Sequence, residues 1–266
     1  MLESFSKYYS NVADKCKQFL ETITDIQFNE KEESYKIFLI TIIKLNIKNA
    51  ESITLLLKNN QISSSLMICR NIIESFFNID WLFEQKDDDK VNEKYYKLEG
   101  DYLYHIEKQI ESIIKDQSTT EPRWDKKTAE ELKNVLEVYR TNYRHLLTKN
   151  SKGKIIFKHL PSFADRMTDK RLQYYQFYIF TSLFSHPSPK LKDYFDNKTN
   201  IKNIETSVKQ TLALCIYLIQ SIISYAEIIF KDVNTDFKTR EQLFKEIKQI
   251  VENATIGIVN FNIKAT

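Results

Sequence analysis

The sequence predicts an all-α protein, an antiparallel bundle of about seven to eight helices, on three observations. Its 266 residues include only three glycines and four prolines, far fewer than the roughly 7% and 5% of ordinary chains. The turn residues that an all-β fold needs about every 8–12 positions are missing. Apolar residues recur instead with the 3.6-residue period of amphipathic helices. A chain of this length buries one sizeable core without a disulfide or metal to staple it.

Phe5, Tyr9, Val12, Cys16, Phe19, Leu20, Ile23 and Ile26 share one helical face and give a first helix over 3–27. A second runs over 30–58 through Ile37, Ile40, Leu45, Ile47, Ile53, Leu56 and Leu57. The short connector 58–61 returns a third helix, 63–85, antiparallel beside it. Asp87, Asp88 and Asp89 supply an N-cap and first-turn acids for a fourth, 89–116. After a loop over 117–127, Thr128 and Glu131 form a capping box opening a fifth helix that reaches Leu147. A basic connector around Gly153 fills 149–160, and a short helical turn follows Pro161. Asp169 caps a helix over 170–185, stopped by His186-Pro187-Ser188-Pro189. An irregular basic stretch extends to Asn203, and helices over 204–231 and 237–253 finish the chain. The expected organisation is one helical domain, 1–232, with 233–266 as its peripheral C-terminal helix and tail.

Charge and cysteines bound the setting. The formal net charge of +3 is too small to imply nucleic-acid binding by itself. Its distribution is uneven: 84–121 carries eleven acids and six bases, whereas 144–171 carries eight bases and two acids. Cys16, Cys69 and Cys215 lie far apart among apolar residues, as buried reduced thiols of a cytoplasmic protein would. The first residues lack the basic-then-apolar order of a signal peptide. Leu212 to Phe230 is the most apolar stretch, but Gln220, Ser221, Ser224 and Glu227 interrupt it. A helix buried in a bundle, and no membrane span, is the expectation.

Several chemistries are excluded by residue type. Gly100, Gly153 and Gly257 are too dispersed for a phosphate loop or dinucleotide fingerprint, and no cofactor is expected. No Cys-x-x-Cys or His-Glu-x-x-His pattern occurs, and His105, His145, His159 and His186 fall in separate elements, so no metal is expected. A nucleophile elbow has no glycine from which to be built.

Two polar constellations remain. On the third helix Ile62, Leu66, Cys69, Ile73 and Phe76 centre an apolar face. Arg70 and Glu74 lie one turn apart at about 80° and 120° around the helix from Ile62, on the flank of that face. An i,i+4 ion pair accounts for them, although Arg preceding Glu is the weaker orientation. If a helix covers that flank, both groups need anchoring partners. The second constellation is Tyr178, Ser182 and His186, spaced by four on an aromatic helix. At the helix C-terminus the dipole favours imidazolium at His186. The plainer alternative has Ser182 bonding back into the helix and His186 capping its end.

The segments "LMICRNIIESFFNIDWLFE" (66–84) and "YIFTSLFSHPS" (178–188) carry Arg-x-x-x-Glu and Tyr-x-x-x-Ser-x-x-x-His-Pro. Together they resemble a bacterial all-helical domain family of unknown function, which itself looks related to the HEPN (higher eukaryotes and prokaryotes nucleotide-binding) superfamily. The resemblance spans roughly residues 35–230. It implies a HEPN-like bundle, often a homodimer, in a superfamily whose active members are metal-independent ribonucleases of toxin and phage-defence systems. The family's polar positions fall on Arg70, Glu74, Tyr178, Ser182 and His186. In those nucleases the Arg and His share a helix with four to six residues between them, whereas Arg70 and His186 lie on different helices.

A literal match to that spacing occurs at Arg140 and His145. On an ideal helix these side chains point about 140° apart, so they converge only where the helix ends, and Leu146 and Leu147 continue the apolar pattern. Two functional expectations follow. One is RNA cleavage by acid–base chemistry: His186 as base or acid, Arg70 as the cation for phosphorane charge, Glu74 orienting it, and Tyr178 or Ser182 donating a hydrogen bond. Lys152, Lys154, Lys158, Arg166, Lys170 and Arg171 would hold the phosphate backbone. The other is a non-catalytic bundle that binds a protein partner, such as one from the same operon, or a second copy of itself, its polar residues fixing helix register.

Overall fold

A computed structural model describes residues 2–23, 33–85, 87–116, 125–162, 166, 169–185, 198–231 and 237–256, with backbone alone at 169–173, 198–203 and 237. Eight α-helices form the all-α fold among these residues: α1 (Leu2–Glu21), α2 (Ser34–Lys58), α3 (Ile62–Leu82), α4 (Asp88–Asp116), α5 (Lys126–Asn142), α6 (Asp169–Ser185), α7 (Lys198–Ile229) and α8 (Phe237–Thr255). Between α5 and α6 lie a 3-10 turn, Arg144–Leu146, and a two-stranded antiparallel ribbon, β1 (Leu147–Lys149) and β2 (Ile155–Phe157). The chain divides into two compact units, 1–84 with 167–266, and 85–166.

In the first unit α1 packs against α2 and α8, and α3 packs against α2, α6 and α7. Five successive residues of α7, Leu212 to Ile216, are buried, so the helix is covered on every side there. The segment Ile204–Ile229 is long and apolar enough to cross a membrane, with a mean hydropathy of 1.8 over its most apolar 18 residues. Its burial is what a helix at the centre of a bundle requires. Tyr9 ties α1 to it: its hydroxyl donates to the Leu212 carbonyl at 2.8 Å. Burial and the neighbouring thiols Cys69 and Cys215 push that phenol's pKa up. All three cysteines are free and buried. The C-terminal helix α8 is held by Arg240, fully buried, whose Nη1 donates to the Phe230 carbonyl at 2.6 Å. A cation at the end of α7 meets a carbonyl that has no partner within the helix and the negative end of the dipole.

The second unit assembles α4, α5 and the ribbon around Leu103, Ile110, Leu136, Leu146 and Phe157. Asp87 caps α4 through its Oδ1, which accepts from the Asp89 and Lys90 amides. Asp125, rather than the expected Thr128, caps α5. Its carboxylate takes the Thr128 amide at 2.7 Å and the Thr128 hydroxyl at 2.9 Å.

The expected fifth helix to Leu147 ends instead at Asn142. Leu146 and Leu147 fit a helical stripe, yet Leu146 enters the core from a 3-10 turn and Leu147 opens β1 opposite Phe157. The expected basic connector 149–160 contains the ribbon's turn. Asn150 Oδ1 accepts the Lys152 and Lys154 amides at 3.0 Å, and Gly153 takes φ +74°, a left-handed backbone that favours glycine. At the other end, α7 starts at Lys198, inside the stretch expected to stay irregular to Asn203. The expected turn after Pro161 falls mostly outside the described residues.

Candidate functional site

Helices α3 and α6 bring one expected constellation together. Arg70 Nε donates to Glu74 Oε1 at 2.9 Å within α3, and Arg70 Nη2 donates to the Tyr178 hydroxyl on α6 at 3.0 Å. The guanidinium carbon also stands 5.1 Å from the centre of the Tyr178 ring, a cation–π contact. Apolar packing sets this register: Phe76 meets Tyr174 edge-to-face at 5.6 Å, and Phe77 lies 6.4 Å from Tyr178. The Arg70 side chain is 21% exposed and that of Glu74 is 41% exposed, so the pair sits at the rim of the interface and reaches water. Burial opposes the charge on Arg70, but Glu74 and Tyr178 more than compensate, and its pKa is raised. Burial also raises the Tyr178 phenol; Glu74 adds to the rise and Arg70 opposes it. A fixed cation therefore stands beside a phenol that keeps its proton.

Ser182 takes another role. Its hydroxyl donates to the Tyr178 carbonyl at 2.7 Å, the back-bond within the helix that the sequence left as the plainer alternative. Thr181 donates to the same carbonyl at 3.0 Å. His186 lies outside the described residues.

The literal Arg–His spacing of the second unit leads its two members to different partners. Arg140 reaches Glu107 through Nη2 and Glu137 through Nη1. Glu107 is fully buried and also accepts the Phe157 amide at 3.2 Å. Arg140 thus joins α5 to α4, while Glu107 joins α4 to β2. His145 packs edge-on against Tyr96 at 5.8 Å and approaches Glu99 at 4.0 Å. The helix does end between Arg140 and His145, but the ending sends His145 along a separate course.

The expected phosphate-binding cations are partly engaged inside the chain. Lys154 pairs with Glu111, which also takes Lys108. Burial opposes the charge on that carboxylate, yet the two lysines hold it below its ordinary range. Lys158 Nζ lies 5.0 Å from the centre of the Tyr96 ring. Lys152 is exposed on the ribbon turn, and Arg166 is half-buried. The side chains of Lys170 and Arg171 lie outside the described residues. Among the described residues, no group of three or more potential metal ligands comes together.

Residues 36–204 match the model of a family of unknown function, DUF5677, over well more than half of the 266 residues. The chain belongs to DUF5677. No curated protein and no solved structure matches it. The DUF5677 stretch holds Arg70, Glu74, Tyr178, Ser182 and His186, together with the whole second unit. Helices α1 and α8 and most of α7 fall outside it.

Three anchors escaped the sequence reading. Glu107 is one of the eleven acids over 84–121, and nothing local marks a carboxylate whose partners are 33 and 50 residues away. Gly100 stands out in the sequence only as one of three dispersed glycines, yet a Cβ there would stand 2.4 Å from the Lys158 carbonyl oxygen. Its missing side chain is what lets β2 lie on α4. Asp80 is buried on α3 and accepts the Tyr225 hydroxyl at 2.5 Å. A lone acid four residues before Glu84 carried the only hint, its place on the apolar side of the helix.

Proposed function

We propose that this DUF5677 protein binds RNA phosphodiester at the α3–α6 seam and cleaves it without a metal. The observation that carries the reading is Arg70: a cation held by Glu74, aligned on the Tyr178 hydroxyl across two helices, and still open to water at the rim. Fixed charge of this kind stabilises a phosphorane because it needs no reorganisation as negative charge grows. The 2′-hydroxyl attacks phosphorus, forming the P–O2′ bond and breaking P–O5′. The 2′ proton goes to a base and O5′ receives a proton from an acid, leaving a 2′,3′-cyclic phosphate and a 5′-hydroxyl. Arg70 takes the phosphorane charge, Glu74 orients Arg70, and the protonated Tyr178 donates to a phosphoryl oxygen. His186, four residues beyond Ser182 in sequence, is assigned the role of base or acid. The HEPN resemblance supports this reading, in which the protein acts as a dimeric toxin or phage-defence nuclease of the bacterial cytoplasm.

The test is degradation of single-stranded RNA by the purified protein in EDTA, beside Arg70→Ala, Tyr178→Phe, His186→Ala and His145→Ala. Cleavage by the wild type that is lost in Arg70→Ala and His186→Ala and kept in His145→Ala is the expected pattern. Intact RNA with the wild type overturns it.

A second reading has its own observation. Arg70 spends both Nε and Nη2 within the chain, and the Ser182 hydroxyl is committed to the helix backbone, which suits a register-fixing network in a non-catalytic bundle that binds a protein partner or a second copy. There, Arg70→Ala lowers the melting temperature and the protein has no RNA cleavage to lose.

A further inference from the structure

The ribbon of the second unit carries cations that the neighbouring carboxylates do not neutralise. From Val138 to Ala164 the sequence has no acidic residue. The acids that α4 turns towards this stretch are already engaged. Glu107 is paired with Arg140, Glu111 with Lys108 and Lys154, and Asp101 accepts the Leu160 amide at 2.9 Å. Glu99 lies 4.0 Å from His145. Arg144, Lys149 and Lys152 are exposed, and none of the three forms an ion pair with a described residue.

Two of these cations stand on a fixed tip. Asn150 Oδ1 holds the Lys152 and Lys154 amides, and the Asn150 amide donates to the Lys154 carbonyl at 2.9 Å. The Gly153 amide closes the turn on the Asn150 carbonyl at 2.9 Å. A tip ordered before it meets a ligand loses little conformational freedom on binding. Like charges so close in sequence repel one another until an anion joins them. The tip itself, 148–154, reads Thr-Lys-Asn-Ser-Lys-Gly-Lys. It has no apolar side chain to enter a membrane and no aromatic ring to stack on a base. What such a surface fits is a chain of phosphates, met through its backbone alone.

We propose that Arg144, Lys149 and Lys152 form a phosphate-backbone contact for RNA on the second unit, in addition to Arg70, and that this contact is blind to base sequence. The inference rests on the RNA-binding part of the proposed function and not on cleavage. It moves the contact from Lys154 and Lys158, which have partners within the chain, to cations of the same ribbon that have none among the described residues.

Fluorescence anisotropy with a fully 2′-O-methylated single-stranded RNA of mixed sequence, which cannot be cleaved, tests it on the full-length protein over a salt series. The wild type is compared with Arg144→Gln/Lys149→Gln/Lys152→Gln and with Lys126→Gln/Lys127→Gln/Lys133→Gln, which removes the same charge from exposed positions of α5. The ribbon variant is expected to flatten the slope of log affinity against log salt by about 2, at about 0.7 per phosphate contact on a single strand. The α5 variant is expected to keep the wild-type slope. Circular dichroism checks that both variants are folded. A ribbon variant with the wild-type slope, or equal flattening in the two variants, overturns the inference and leaves the seam to be read from Arg70→Ala. A slope flattened only in the ribbon variant, with unmodified RNA left intact by the wild type, upholds it and removes cleavage. A wild type that binds polyglutamate and no RNA overturns both and gives the ribbon to an acidic protein segment.

Discussion

The protein holds two arginine–glutamate pairs whose residue types are identical, whose arginines are about equally exposed, and whose carboxylates have opposite surroundings. Arg70 and Glu74 are neighbours on one helix, both touch water, and the arginine turns outward to a third group, Tyr178. Arg140 and Glu107 come from different helices, the carboxylate has no exposure, and it is closed by a backbone amide from β2. A sealed carboxylate must be neutralised where it lies, so its arginine is not available for anything else. A rim pair loses little if a ligand draws the arginine away, because water replaces part of what is lost. This is why the Arg140–His145 spacing, although the closer match to a nuclease pattern, reads as scaffold, and the Arg70 cluster reads as site.

The largest effect expected from this contrast is on stability in the second unit. Arg140→Ala leaves the Glu107 carboxylate buried without its cation and is expected to cost about 3–5 kcal/mol, measured by urea unfolding. A loss below about 1 kcal/mol would mean that Glu107 is reached by water and that the sealed-pair description is wrong. Gly100→Ala comes next. Alanine favours a helix by about 1 kcal/mol over glycine, but here its Cβ meets a backbone carbonyl 2.4 Å away that cannot swing aside as a side chain would. We expect a net loss of about 1–3 kcal/mol from overpacking, with hydrogen exchange accelerated at the ribbon amides. A stabilised variant would show that β2 is free to lift from α4.

How much of each region was legible in the sequence follows from the same distinction. The flank position of Arg70 and Glu74 is a local fact, since 100° per residue fixes it once the apolar face is recognised, and α3 indeed places them at the edge of that face. Their meeting with Tyr178, 108 residues away, was suggested by paired motifs rather than by periodicity. The second unit was less legible. Leu146 and Leu147 satisfy a helical stripe and a strand equally well, and two three-residue strands give too short an alternation to be seen. Lys154 and Lys158 read as phosphate-holding cations of a basic run because their partners, Glu111 and Tyr96, lie 43 and 62 residues away.

Smaller effects are expected at the seam itself. Arg70→Ala is expected to cost about 1 kcal/mol, the net worth of a partly exposed hydrogen-bonded group, while removing RNA cleavage altogether. A variant that melts several kcal/mol lower would move Arg70 into the scaffold class and favour the non-catalytic reading. Tyr178 adds a pH signature. Its phenol pKa is raised in the folded state, by burial first and by Glu74 second. The neutral form is therefore favoured by folding, and the stability this contributes is complete below pH 10 and lost as the pH rises through the folded-state value. Tyr178→Phe should flatten that part of the alkaline loss in unfolding experiments run above pH 9. An unchanged slope would show that the phenol titrates as though exposed.

The smallest change makes the sharpest comparison, because the same substitution is applied to both pairs. Glutamine keeps the shape of glutamate and one carbonyl oxygen, and removes only the charge and one acceptor. At Glu74 the retained oxygen can still accept from Arg70 Nε, water replaces what is lost, and Glu74→Gln should alter stability by no more than about 0.5 kcal/mol. At Glu107 two donors, Arg140 Nη2 and the Phe157 amide, converge on a group without access to water. One of glutamine's termini must then present its own N–H groups to a donor, so Glu107→Gln is expected to cost about 1–3 kcal/mol. Equal costs at the two positions, in either direction, would remove the physical difference on which the assignment of one pair to the scaffold and the other to the site depends.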